Sequence, residues 1–225
     1  MGTRSYDVTL TGTTPLLMHW DNIEWAAQVD QYRKSPEGAK EKVAGDDRSP
    51  AWSWIGYAYH NDDVLVIPTD NIFKCIMEGA TMVFVPGRGK KTFKSQSQSG
   101  MMASEASWPL LVDGKTIPID RLRKLCDEKS FSAHKQAVID LGFSLFVKRA
   151  NIGKGKAKSK HVRVRPRFDR WQARGTILVW DDQITTESLT NIITYAGKYK
   201  GLCDWRPGGD TPGPHGIFSA EVIEI

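Results

Sequence analysis

Alternation is the first regularity along this chain. In Asp7–Leu17 (DVTLTGTTPLL), Val8, Leu10 and Gly12 fall on one side and Thr9 and Thr11 on the other. That is the period of a half-buried strand, ended by Pro15, which has no N–H to give a ladder. Asp21 to Arg48 is polar and helix-prone, then turns to Ser-Pro, glycine and charge, which predicts a mobile excursion. Trp52, Trp54, Tyr57 and Tyr59 lie within Ala51–His60, and their two-residue spacing predicts a strand with one aromatic face. Val64–Ile67 predicts a short strand closed by Pro68. Asp70 then serves as an N-cap, and Ile72, Phe73, Ile76, Met77 and Ala80 follow at helical spacing, so an amphipathic helix of about three turns is expected.

Pro86–Gly100 (PGRGKKTFKSQSQSG) has no period and predicts a flexible basic loop. Trp108–Ile119 predicts a hairpin around Asp113-Gly114. Leu122–Cys126 suits a helical turn, and Gly142–Val147 is apolar. Gly175–Trp180 predicts a buried strand, Asp181-Asp182 a turn, and Thr186 the cap of a helix with Leu189, Ile192, Ile193 and Ala196 on one face. A glycine- and proline-rich loop, Gly197–Gly216, precedes a final alternating strand, Ile217–Ile225. This order predicts an α+β fold with an antiparallel sheet. A β-α-β-β-α-β ferredoxin-like core fits it, with strands starting at Asp7 and Ile217 and helices at Asp70 and Thr186. Alternation alone does not single out that topology. One domain over residues 1–225 is expected, with insertions at about 21–60 and 86–135 and a basic hairpin at about 147–168.

Charge changes this picture most. The chain's formal net charge is +5, a modest excess that fits a polyanionic partner without requiring one. Between Lys148 and Arg174, however, eleven Lys or Arg residues face one acid, Asp169. Val147–Ile152 and His161–Arg165 read as strands flanking a Gly-Lys tip. Lys148, Arg149, Lys154, Lys156, Lys158 and Lys160 lie along the first strand and tip. Arg163, Arg165 and Arg167 share one face of the second strand, where a ladder of guanidinium groups can meet a phosphate backbone. Charge runs are usually solvated loops, but the eleven-to-one asymmetry favours nucleic acid. Lys90, Lys91 and Lys94 are candidates for a second arm of the same groove. Trp52, Trp54 and Tyr57 could stack on single-stranded bases, although each is more readily a core residue. The loop holding Trp205 and Arg206 could bring backbone and a guanidinium to a phosphate.

Three segments together resemble the RAMP superfamily, the RRM-like proteins that build CRISPR effector complexes. VTLTGTTPLL (Val8–Leu17) resembles their first strand, VIPTDNIFK (Val66–Lys74) the start of their first helix, and GLCDWRP (Gly201–Pro207) running to Gly216-Ile217-Phe218 the glycine-rich loop before their last strand. Gly79 comes later after Lys74 than the family pattern has it, and Cys203 interrupts the usual Gly-x-Gly. The resemblance implies a ferredoxin-like core with a β-hairpin thumb, contacts to the backbone of single-stranded RNA, and copies polymerising head to tail along the strand. Further effector-complex subunits would then be partners.

Other chemistry finds little support. Three cysteines, Cys75, Cys126 and Cys203, form no C-x-x-C pair, which argues against a disulfide framework or a cysteine zinc site. Five scattered histidines show no metal-ligand spacing, and there is no P-loop or G-x-S-x-G, so no metal or cofactor is expected. No uncharged apolar run approaches the ~20 residues of a membrane span, and the amino terminus lacks a signal core, so a cytoplasmic protein is expected. The expectation is therefore a non-catalytic protein that binds single-stranded RNA or DNA. Two alternatives stay open. One is a RAMP-type endoribonuclease using His19 or a loop aspartate such as Asp21. The other is a phage or plasmid protein that binds or anneals single-stranded DNA.

Overall fold

The computed structural model describes residues 2–152 and 159–225. The chain opens with β1 (Arg4–Gly12) and β2 (Leu16–Leu17), then α1 (Ile23–Lys34) and α2 (Pro36–Glu41), a 3-10 turn at Ser53–Tyr57, β3 (Val66–Pro68) and α3 (Thr69–Ala80). Next come α4 (Lys94–Ser99), β4 (Met101–Ala103), β5 (Ser107–Val112), β6 (Lys115–Thr116), α5 (Ile119–Arg123) and α6 (Phe131–Asp140). β7 (Ser144–Ile152), β8 (Ser159–Phe168), β9 (Gln172–Val179), α7 (Thr186–Tyr195) and β10 (Phe218–Glu224) complete it.

The larger sheet runs β10-β1-β9-β5-β3, with β4 also on β9 and β6 on β5, and every pairing is antiparallel. With α3 and α7 as the connecting helices, β10, β1, β9 and β5 stand in the order of a ferredoxin-like split β-α-β unit. Tyr6, Val8 and Leu10 of β1 are buried in one hydrophobic core with Ile72 and Ile76 of α3 and Ile192 and Ile193 of α7. Gly79 lets the helices close: a Cβ there would lie 2.7 Å from the Cβ of Ala196. A second sheet, β2-β8-β7, is the basic hairpin with Leu16-Leu17 added to its edge. Among the described residues, no helix is long and apolar enough to cross a membrane.

Several expectations change. The first strand starts at Arg4, and Leu16-Leu17 leaves it for the hairpin sheet, because Pro15 breaks the ladder. The Trp52–Tyr59 stretch is not a strand. Ser53, Trp54, Ile55 and Gly56 are buried in succession, which a two-sided strand cannot arrange but a 3-10 turn can. The excursion after Asp21 forms α1 and α2 and docks on the hairpin, where the Asp47 N–H bonds the Val162 carbonyl (2.9 Å). Buried Phe93, Gln96 and Ser97 fold the end of the Pro86–Gly100 loop into α4. Pro68 takes the N-cap place given to Asp70, and Thr185 rather than Thr186 caps α7, accepting from the Ser188 N–H. α6 gave no sequence signal. The Gly-Lys tip, with Lys154, Lys156 and Lys158, lies outside the described residues.

α6 is fastened by His134, which is fully buried. The indole Nε1–H of Trp54 donates to Nδ1 of His134 (3.1 Å), and its Nε2 meets the Glu128 carbonyl (2.8 Å). An indole only donates and a carbonyl only accepts, so this pair fits the neutral tautomer with its proton on Nε2. Burial accordingly pulls the His134 pKa below its ordinary 6.5. Below pH 6.5 the unfolded chain then binds more protons than the folded one. Stability contributed here is full above pH 6.5 and lost as pH falls toward the lowered folded value. Urea unfolding from pH 8 to 5 should show that fall, and His134→Gln should make it shallower. An unchanged slope would exclude this role.

Candidate nucleic-acid interface

The candidate site forms where the glycine-rich loop is pinned to the end of the first strand. The Asp204 N–H bonds the Leu17 carbonyl, Gly216 N–H bonds Pro15 and Leu202 N–H bonds Gly216, each at 2.9 Å. Gly216 has φ +72, and a Cβ there would strike the Leu202 carbonyl at 2.0 Å, so only glycine closes this loop. Cys203 (φ +60) and Trp205 (φ +48) are left-handed as well. For non-glycine residues that conformation costs of order 1–3 kcal/mol each. The local contacts therefore hold Asp204 and Trp205 in a conformation the free chain would avoid.

Hairpin register supplies the facing wall. Phe146 stands opposite Arg165 and Lys148 opposite Arg163, so these four side chains share one face. Trp205 packs against Phe146 (ring centroids 6.1 Å) and His215 (5.3 Å). The Lys148 Nζ sits 3.3 Å from the Trp205 ring centroid, a close cation–π contact. An open groove of about 610 Å³ runs between the two walls, lined by Lys148, Arg149, Arg165, Asp204, Trp205 and Arg206 among others.

The arginine ladder has partners inside the protein. Arg165 Nε lies 2.5 Å from Asp204 Oδ2, with 17% and 25% of the two side chains exposed. Arg163 is 3.7 Å from Asp47, Arg167 is 2.7 Å from Asp169, and Arg206 Nη1 is 3.0 Å from Glu78. Arg149 and Lys160, in contrast, are exposed, with no ion pair among the described residues. Nothing brings Lys90, Lys91 or Lys94 to the groove. They are exposed on the turn after α3 and at the start of α4, and none lines the groove. Trp54 is fully buried, and Trp52 and Tyr57 pack against the core, so these rings serve the interior first.

His19 and Asp21 face different cavities. His19 lines a polar pocket of about 160 Å³ with Tyr59, Asn71, Lys74 and Asp204 that adjoins the groove. Burial, then Arg165, lowers its pKa, with Asp204 acting the other way, so at neutral pH it is an uncharged imidazole. Asp21 lies instead beside Trp20 and Trp25. Burial pushes the Cys203 thiol far up, so it is held as the neutral thiol. Sequence reasoning missed Phe146, His215 and the carboxylates Asp47 and Asp204. Phe146 was within reach, being two residues before Lys148 on the same strand face, whereas the carboxylates arrive from distant loops.

No family model matches the chain, and no curated protein matches it in sequence. Among solved structures it is similar to Cmr6 from Pyrococcus furiosus at 8% identity, with 98% of this chain and 100% of that one covered and a TM-score of 0.38.

The Arg165–Asp204 pair gives this site a direct test. Asp204→Asn leaves a mostly buried guanidinium without its counter-charge, and should lower the unfolding free energy by about 1–3 kcal/mol. Adding Arg165→Met should restore part of the loss, as a double-mutant cycle in urea would show. Strict additivity would mean that the two residues do not interact.

Proposed function

We propose that this chain is a non-catalytic single-strand nucleic-acid-binding subunit of the RAMP kind, with RNA as its strand. The carrying observation is the groove in which Lys148 lies over Trp205, beside Arg149 and Arg206. With Lys148 swung from the indole to a phosphate, Trp205 offers a π-face to a base beside the cations, the two elements of sequence-tolerant strand binding. The outward residues of β1 and β9, namely Asp7, Thr9, Thr11, Gln172, Arg174 and Thr176, carry no ring. An RRM-type stacking platform on the sheet is therefore not the favoured surface. Holding is the reading adopted over cutting. His19 and Asp21 line separate cavities, but His19 shares its pocket with Asp204, and RNA cleavage compared between the chain and His19→Ala tests the alternative. Copies arranged along the strand follow from the resemblance of the three motifs.

Fluorescence anisotropy with a labelled oligonucleotide tests the reading. If about two or three phosphates are neutralised, log K should fall against log salt with a slope of about −1.4 to −2.1. Lys148→Ala should flatten that slope by about 0.7. A flat salt dependence overturns the proposal. Competition between RNA and DNA of one sequence, and complex mass against strand length, test the choice of strand and the polymerisation.

A further inference from the structure

A separate cavity lies where α1 meets the 3-10 turn, walled by Trp20, Trp25 and Tyr57 and edged by Asp21, Asn22, Ser53 and Arg33, whose guanidinium donates to the Ser49 carbonyl. Its volume of about 140 Å³ is below the roughly 300–1,000 Å³ of sites for drug-sized ligands. It has room for one ring system. The walls are fixed. Trp25 is wedged on Gly56, where a Cβ would come within 2.0 Å of its Cδ1, and stands edge-on to Trp52 (5.5 Å, 87°). Trp20 is stacked on Tyr59 (5.9 Å, 29°).

The polar edges point to a kind of ring. Trp25 Nε1 is buried against Gly56 with no hydrogen-bond partner, so the indole gives the cavity an apolar wall rather than a donor. Asn22 Oδ1 is committed to the Trp25 backbone N–H (3.0 Å). The exposed Asp21 carboxylate has no ion-pair partner among the described residues, and it can only accept. A planar heterocycle with an exocyclic amine matches the aromatic walls and this free acceptor. The cavity is also linked to the groove. Tyr57 meets His19 edge-on at 4.7 Å, and His19 lines the polar pocket that shares Asp204 and Arg206 with the groove.

We propose that this cavity takes one unstacked nucleobase carrying an exocyclic amine, read by Asp21, from the strand held in the groove. The inference rests on the strand-binding reading, but its first test needs no strand. Adenosine, cytidine and uridine are titrated into the full chain labelled with ¹⁵N, and the indole N–H of Trp25, assigned by its loss in Trp25→Phe, is followed by NMR. Adenosine and cytidine should move it more than uridine. Ala26→Trp, which fills the cavity from an exposed position, should abolish the shifts, and Asp21→Asn should remove the preference for amine-bearing bases. In binding assays, a base-bearing strand should exceed an abasic strand of equal length by roughly tenfold. Ala26→Trp should shrink that margin to the part that stacking on Trp205 supplies, whereas Lys148→Ala should weaken both strands. Trp25 unmoved by millimolar nucleosides, or shifts that survive Ala26→Trp, would overturn the proposal. If neither strand binds, the strand-binding reading fails while the nucleoside shifts still decide the cavity.

Discussion

The ion pair between Arg165 and Asp204, together with the bond from the Asp204 N–H to the Leu17 carbonyl, joins hairpin, first strand and glycine-rich loop at one point. Two left-handed residues flank that point, so the loop keeps its shape through these contacts rather than through its own preference. Trp205 is thereby turned toward Phe146 and Lys148. The groove exists because hairpin and loop are fastened to each other at its wall, where Arg165 meets Asp204. Loosening the fastening would spoil the groove even with every cation in place.

The same pairing redistributes charge. A run of eleven cations suggests uniform attraction for phosphate, but Arg163, Arg165 and Arg167 each face a carboxylate. Their work is largely architectural. The described hairpin cations directed outward are Lys148, Arg149 and Lys160, and two of these line the groove. A strand contact so built combines a few phosphates with one aromatic face, which implies moderate salt dependence and tolerance of sequence. Base reading, where it occurs, would come from the Trp20–Trp25 cavity.

The legible parts of the fold were those that a period or a turn fixes. β1, α3, the Asp113-Gly114 hairpin, α7 and β10 follow from alternation, helical spacing and positive-φ turn residues at Asp113 and Gly114. Trp52–Tyr59 misled because aromatics two apart mimic a strand, while Trp54 and Ile55, adjacent in sequence, are both buried. α6 went unread because its buried face is narrow, only His134 and Val138, and one of the two is a histidine held by Trp54 from a distant segment. In the site, the hairpin and its arginine face were readable from period-two spacing. Asp47 and Asp204 were not, because nothing in one sequence says which distant loop will supply a counter-charge.

Photo-crosslinking most directly tests whether the strand lies in this groove. A single-stranded oligonucleotide carrying a photoreactive pyrimidine is irradiated with the protein, and the adducts are mapped by mass spectrometry. Adducts at Trp205 and on the peptide bearing Phe146 and Lys148 are expected. Adducts confined to the outward face of β1 and β9, around Thr9 and Arg174, would contradict the account.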